Sequence, residues 1–160
     1  MNCVYGKVFR KKLNDNSVEV FNYDPSKDDY YCMVKKHREN GYYQVILSSK
    51  MMINILKEYF YNRNCKILYI ELLEEDDELN REINKFLEKI NDDRDCFEWL
   101  IDKINYLLEE GSIDIKKIGF SFREEKTVSI SILVNGVIGI TDSEYSSEII
   151  KLKTFIEERI

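Results

Sequence analysis

The stretch from Ile113 to Ile140 limits the folds open to this chain more than any other part of it. Two runs there alternate apolar residues with small or polar ones, at the period of two that is typical of strands with one buried face. A polar turn at 123–126 separates these runs. Asn135-Gly136, which readily takes the two positive φ angles of a type I′ hairpin, separates the second run from a third. The sequence therefore predicts a three-stranded antiparallel meander. Its alternating residues are Ile118, Phe120, Phe122, Val128, Ile130, Ile132 and Val134.

The first 47 residues predict two further hairpins. Strands are expected over Val4–Leu13 and Ser17–Tyr23, joined by a turn-forming Asn-Asp-Asn triplet at 14–16. A second hairpin is expected over Tyr30–Lys36 and Tyr42–Leu47, where apolar and polar residues alternate poorly.

Apolar residues at helical spacing predict four helices. Between the first two, a continuous apolar run over Lys66–Leu73 is typical of a strand in the middle of a sheet, and this strand could add one parallel pairing. The predicted class is α+β: a largely antiparallel sheet that includes the C-terminal meander, with about four helices packed on one face. These helices are expected over residues 48–61, 76–90, 96–110 and 141–160.

Length and composition predict one domain over residues 1–160. No apolar run reaches the roughly 18 residues of a membrane span, and the N-terminus lacks an apolar signal segment. We therefore expect a cytoplasmic protein with reduced cysteines; the alternative is two disulfides. The absence of alanine and the presence of a single glutamine indicate an AT-rich coding sequence, as in many bacteria and phages.

Motifs for common cofactors and metals are missing. The glycines stand singly, without a phosphate-binding loop, and no CxxC, HExxH or GxSxG pattern occurs. The sequence therefore predicts no cofactor and no metal site.

The only histidine, His37, lies between two lysines and Arg38. Cys32 is five residues upstream in the same predicted hairpin, and three neighbouring cations would favour the thiolate form that a Cys–His nucleophile pair requires. The alternative is an exposed basic turn with Cys32 as a small buried residue. We expect the alternative and assign no catalytic residue.

Acidic residues are concentrated in one segment of a chain whose formal net charge is −6. Residues 71–98 carry twelve acidic and four basic side chains, whereas residues 1–70 carry seven acidic and twelve basic ones. Five carboxylates stand together at the expected start of a helix, either as a solvated helix start or as a docking surface for a basic partner. They are Glu74, Glu75, Asp76, Asp77 and Glu78.

Two aromatic residues fall outside the apolar stripe of the helix expected over 96–110. Trp99 and Tyr106 are seven residues apart and point nearly opposite to the stripe, with Lys103 between them. Such a pair is either covered by a second layer of the fold or exposed for a partner, since Trp and Tyr are common binding anchors.

Basic and aromatic residues are interspersed in the N-terminal part. On strands, this mixture suits single-stranded nucleic acid through stacking and phosphate contacts. The alternative is a set of lysine-rich edge strands that discourage aggregation. The residues are Lys7, Arg10, Lys11, Lys12, Lys35, Lys36 and Arg38 among Tyr5, Phe9, Tyr30, Tyr31, Tyr42 and Tyr43.

Three functions follow as hypotheses. The preferred one is a small acidic binding protein without catalysis, of the inhibitor, immunity or adaptor type, that uses the five carboxylates, Trp99 and Tyr106 to bind a basic protein. The second is a nucleic-acid-associated regulator that uses the N-terminal strands. The third is an enzyme whose site is assembled from residues distant in sequence.

Overall fold

The computed structural model describes residues 2–11 and 17–160. This part of the chain holds seven strands and five α-helices, so the fold is α+β as predicted. The strands are β1 (Cys3–Lys11), β2 (Val18–Asn22), β3 (Tyr42–Gln44), β4 (Lys66–Leu72), β5 (Ile115–Arg123), β6 (Thr127–Leu133) and β7 (Val137–Thr141). The helices are α1 (Tyr30–Glu39), α2 (Ser49–Arg63), α3 (Asp77–Asp92), α4 (Cys96–Glu109) and α5 (Tyr145–Glu157). The predicted turn at 14–16, Lys12 and Leu13 lie outside the described residues.

Contacts between residues divide the chain into two compact units. The terminal unit comprises Met1–Leu47 and Val128–Ile160, and the middle unit comprises Ser48–Thr127. Within each unit, every strand pairing is antiparallel. The prediction of a single domain stays a prediction.

The terminal unit is organised around β1. In its sheet the strand order is β2-β1-β7-β6, and β3 also pairs with β1. At Phe9 and Arg10 the partners of β1 are β2 and β3, and at Gly6 and Lys7 they are β2 and β7. It follows that β7 and β3 occupy the same side of β1, one after the other.

Residues 30–39 form helix α1, so the prediction of a strand over Tyr30–Lys36 was wrong. The Asp29 side chain accepts a hydrogen bond from the Cys32 backbone N–H at 2.8 Å and so caps the helix. Lys36 and Arg38 in the last turn complement the helix dipole. The helix buries none of its residues, which is why the sequence shows no clear apolar period there. The second half of the predicted hairpin is only β3, and it pairs with β1.

Helices cover both faces of the terminal unit's sheet, not one face as predicted. The His37 ring of α1 stacks on Phe21, with 4.1 Å between ring centroids, and lies 4.8 Å from Phe9. A Cβ added to Gly6 would collide with the hydroxyl of Tyr145 in α5. Gly6 and Phe9 point to opposite faces because side chains alternate along a strand, so α1 and α5 lie on different faces.

The middle unit pairs β4 with β5 and packs α2 on them. Seven buried residues of α2 confirm that it is a core helix; Tyr59, for example, lies 4.6 Å from Phe120 between ring centroids. The prediction of a parallel pairing for Lys66–Leu73 was wrong, since β4 runs antiparallel to β5. The prediction of a central strand was also wrong, because β5 is the one strand that pairs with β4 within the described residues, so β4 lies at an edge.

All three strands of the predicted meander are present as β5, β6 and β7. The turn between β6 and β7 differs from the type I′ prediction. Gly136 has a φ of +77°, but Asn135 has no positive φ. The Gly136 N–H donates to the Leu133 carbonyl at 2.9 Å, so Val134 and Asn135 occupy the turn and Gly136 follows in the left-handed region.

Lys7 lies fully buried where β1, β3 and this turn meet. Its Nζ donates to the backbone oxygens of Val45, at 3.1 Å, and Asn135. Within the described residues no carboxylate lies close enough to form an ion pair with it. Burial lowers the pKa of Lys7 from 10.5 to about 8.

Substitution of Gly136 by alanine should destabilise the protein more than the same change at Gly41. Both glycines have positive φ, at +77° and +87°, which costs alanine about 1–2 kcal/mol. A Cβ on Gly136 would also lie 2.6 Å from the Val45 carbonyl oxygen, whereas one on Gly41 meets nothing within 4 Å. We expect roughly 1–3 kcal/mol of additional loss at Gly136 in urea unfolding. Equal losses would contradict this packing.

Lys7 should make stability rise with pH between about pH 8 and 10.5. In this window Lys7 is protonated in the unfolded chain and neutral in the folded one, so raising the pH favours folding. Over the whole window, a pKa shift of this size adds about 3 kcal/mol to the free energy of unfolding. Below pH 8, Lys7 does not make the free energy of unfolding depend on pH.

The measurement is urea unfolding of wild type and Lys7→Met at pH 7, 8, 9 and 10. The difference in unfolding free energy between the two proteins should be flat up to about pH 8 and should then change in favour of wild type. A difference that is independent of pH would show that the ammonium is not desolvated in the folded state.

The four cysteines are free thiols, and the alternative of two disulfides is not formed. Cys3 and Cys32 are exposed, and Cys65 and Cys96 are buried. Burial raises the pKa of Cys65 to about 12. Within the described residues, no helix combines the length and apolarity that a bilayer span needs.

Thiol titration should separate these cysteines into two pairs. Two groups should react quickly with a thiol reagent in the native protein, and four should react after denaturation without reductant, because burial protects Cys65 and Cys96. The Cys3→Ser and Cys32→Ser double variant should lose the fast phase. Fewer than four groups in denatured wild type would contradict the free-thiol state.

Candidate functional site

The predicted acidic segment connects β4 to the start of α3, and two of its five carboxylates stabilise the fold. Asp76 caps α3, because its Oδ1 accepts a hydrogen bond from the Leu79 backbone N–H at 3.0 Å. Glu74 Oε2 accepts from the Asp114 backbone N–H at 3.0 Å and so ties the segment to the residue before β5. Both residues therefore have a structural role, and their assignment to the partner-binding surface stays a prediction.

The remaining three carboxylates, Glu75, Asp77 and Glu78, are exposed; we call them the acidic start. None of the three forms an ion pair with a lysine or arginine in the described part of the chain. Asp77 and Glu78 are in the first turn of α3, where the positive end of the helix dipole favours negative charge. The acidic start therefore presents its charge to solvent at little cost to stability.

A groove of about 530 Å³ runs beside the acidic segment. One wall is strand β4, the other includes Asn80 and Asn84 of α3, and Lys116 is the only cation among its lining residues. Four carboxylates line it: Glu71, Glu74, Glu75 and Asp77. We call this feature the acidic groove. Its chemistry suits cationic groups and hydrogen-bond donors.

The sequence reasoning missed the part that α3 contributes to this groove. Asp77, Asn80 and Asn84 follow one another at spacings of three and four residues, which places them on one side of a helix. That polar stripe was a readable signal. Glu71 carried no such signal, because its position depends on how β4 lies against α3.

Trp99 and Tyr106 are exposed on α4, and the interpretation that a second layer covers them was wrong. Trp99 is 68% exposed and Tyr106 is 61% exposed. The opposite side of α4 is buried as its apolar stripe predicted, through Phe97, Leu100, Ile101 and Ile104. We call Trp99 and Tyr106 the aromatic face. Large apolar side chains in this position are typical of binding surfaces.

Helices α3 and α4 form an antiparallel pair joined by three residues, 93–95. Lys103 Nζ lies 2.8 Å from Glu82 Oε1, so these two residues lie at about the same height along the two helix axes. At 1.5 Å per residue, Tyr106 lies about 4.5 Å from that level toward the acidic start, and Trp99 lies about 6 Å in the other direction. Trp99 is therefore roughly 13 Å along the axis from Asp77.

The exposed side of α4 is acidic around its aromatics. Glu98, Asp102 and Glu109 are exposed on α4. The cation between Trp99 and Tyr106, Lys103, is paired with Glu82. The α3–α4 pair thus presents two exposed rings among carboxylates.

The structure does not support a Cys–His nucleophile pair. The hydrogen bond between Cys32 and Asp29 raises the pKa of the Cys32 thiol, so the predicted effect of the neighbouring cations is outweighed. His37 is held in the stack with Phe21, and burial lowers its pKa. Five residues apart on a helix, the two side chains diverge by about 140°. Among residues 2–11 and 17–160, no three potential ligands are close enough together to hold a metal ion.

The basic and aromatic N-terminal residues are only partly available at the surface. Lys7 and Phe9 are fully buried. Tyr31 and Tyr43 are exposed, at 81% and 42%. Lys11 and three cations of α1, Lys35, Lys36 and Arg38, are also exposed.

Comparison of the chain with protein-family models, curated proteins and solved structures finds no match. The functional argument therefore depends on the geometry and charge of the chain itself.

Asp76→Ala should destabilise the protein by about 1 kcal/mol, because α3 loses its cap. Asp77→Ala, one residue later, removes the same charge without removing a capping side chain, and should cost at most a few tenths of a kcal/mol. Asp76→Asn should restore most of the loss, since an amide oxygen also caps. Chemical unfolding of the three variants measures this. Equal effects of the two alanine variants would contradict the capping role.

Proposed function

We propose that this chain is a small acidic binding protein that docks on a basic macromolecular partner in the cytoplasm, without catalysis. The observation that carries the proposal is the exposure of Trp99 and Tyr106 on an acidic helix. Inhibitors, immunity proteins and adaptors are of this physical type. The assignment of the five carboxylates, Trp99 and Tyr106 to the binding surface is part of the proposal.

Charge supports the choice of a basic partner. Residues 71–98 carry twelve acidic and four basic side chains, and the three carboxylates of the acidic start have no ion pair within the described residues. Exposed carboxylates of one sign accelerate encounter with a basic surface and make the association rate depend on salt. The acidic groove extends the same charge along β4.

The aromatic face supplies contact area that charge alone does not. A tryptophan buried at the centre of an interface is a frequent hot spot, and a partner's arginine or lysine can stack on its ring. Tyr106 lies nearer to the acidic start than Trp99 does, so a partner that covers both rings would reach the first turn of α3.

Two variants should affect binding in different ways. Neutralisation of the acidic start, by Glu75→Gln, Asp77→Asn and Glu78→Gln together, should slow association several-fold at low salt and leave dissociation nearly unchanged. Trp99→Ala should accelerate dissociation by about thirtyfold if it removes a hot spot of roughly 2 kcal/mol. Because Trp99 is 68% exposed, the variant should keep the wild-type melting temperature.

Pull-down from cells of the source organism, followed by surface plasmon resonance with the recovered protein, makes the test. One control neutralises three exposed carboxylates elsewhere, by Glu39→Gln, Glu125→Gln and Asp142→Asn. The other is Ile150→Ala, which truncates a 63% exposed side chain on α5. Both controls should bind as wild type does. An acidic partner, or a basic one that binds all variants equally, would contradict the proposal.

A further inference from the structure

Helix α1 is held to the terminal unit by a few contacts of its inner side. Tyr30 Oη donates to the Gln44 side-chain oxygen at 3.0 Å, and the His37 ring stacks on Phe21. None of the ten residues of α1 is buried. Its outward residues are therefore not explained by packing of the core.

One flank of this helix combines an exposed aromatic ring with two cations. Tyr31, Lys35 and Arg38 follow at spacings of four and three residues and lie within about 60° of one another around the axis. Tyr31 is 81% exposed, the highest value among the exposed large apolar side chains of the described chain. Lys35 and Arg38 are exposed, and neither forms an ion pair with a carboxylate within residues 2–11 and 17–160.

We propose that this flank of α1 binds single-stranded nucleic acid, independently of the acidic binding surface. Tyr31 supplies a ring on which an unpaired base stacks, and Lys35 and Arg38 supply charge for the phosphates that follow it. Along the helix axis the two cations lie about 6 and 10 Å from Tyr31. In a duplex the bases are already stacked on each other, so the tyrosine would have no base face to contact.

Helix α1 itself is basic although the whole chain is acidic, with Lys35, Lys36 and Arg38 exposed beside one carboxylate, Glu39. The residues before the helix, 17–29, carry four carboxylates and one lysine, and one of these carboxylates, Asp29, caps the start of α1. At physiological ionic strength, exposed charges farther apart than about 8 Å are largely screened. The net charge of −6 therefore does not prevent a local anion contact.

Fluorescence anisotropy with fluorescein-labelled twelve-residue oligothymidine tests the proposal. Wild type should bind saturably at 50 mM salt and more weakly at 200 mM. Tyr31→Ala should weaken binding about tenfold, and Tyr31→Phe should restore it, because the ring and not the hydroxyl stacks. Lys35→Ala with Arg38→Ala should reduce the slope of log K against log salt by about 1.4, or about 0.7 per phosphate contact on a single strand.

Matched controls come from the other unit. Tyr61→Ala removes a 55% exposed tyrosine from α2, and Lys85→Ala removes an exposed lysine from α3. Both should bind the oligonucleotide as wild type does, and melting temperatures should show that all variants are folded. Failure to bind at 50 mM salt overturns the proposal. So does binding that Tyr31→Ala leaves unchanged, or equal affinity for a twelve-base-pair duplex, since either result would show polyanion attraction without stacking.

Discussion

The buried side chain of Lys7 connects three elements of the terminal unit, although burial disfavours its charged form. The Nζ joins two backbone carbonyls, of Val45 after β3 and of Asn135 in the β6–β7 turn, to a side chain of β1. Removal of a charged group from water is costly. Within the described residues Lys7 has no carboxylate partner that would offset this cost. Instead, two carbonyl dipoles and the Phe9 ring, whose centroid is 5.3 Å from Nζ, take the place of water. The same junction requires Gly136, since a side chain there would enter the space of the Val45 oxygen.

The five carboxylates of the acidic segment have two different roles. Asp76 and Glu74 accept backbone hydrogen bonds and fix the start of α3 beside β5. Glu75, Asp77 and Glu78 are exposed at the same helix start, where the dipole stabilises negative charge. Binding experiments on the segment are therefore informative only when they leave the first pair intact.

Each unit has a helix on which exposed aromatic residues stand beside charged ones, and the charges on these two helix surfaces have opposite signs. In the middle unit, Trp99 and Tyr106 are accompanied by carboxylates. In the terminal unit, Tyr31 is accompanied by Lys35 and Arg38. Each surface lies on a helix whose other side makes the contacts with its own unit, so the outward residues can change without loss of the core.

The sequence by itself determined the elements with a strong local period: the strands of 115–141, the buried α2, and the apolar side of α4. These patterns are local, because one buried face imposes its period directly on the residues. It also indicated where negative charge is concentrated. It did not determine α1. The residues of this helix are all at least partly exposed, so the apolar ones follow neither the helical period nor the strand period. That Trp99 and Tyr106 are exposed, and not covered by a second layer, was decided only by the structure.

Tertiary structure alone decided the rest. Lys7 looked like a surface cation because a lysine in a strand has no local signal of burial, and only the meeting of β3 and the β6–β7 turn encloses it. Antiparallel pairing of β4, the acidic groove, and the separation of Trp99 from Asp77 depend on contacts between residues far apart in the chain. Such contacts leave no mark on the spacing of neighbouring residues, which is the only information that a periodic pattern carries.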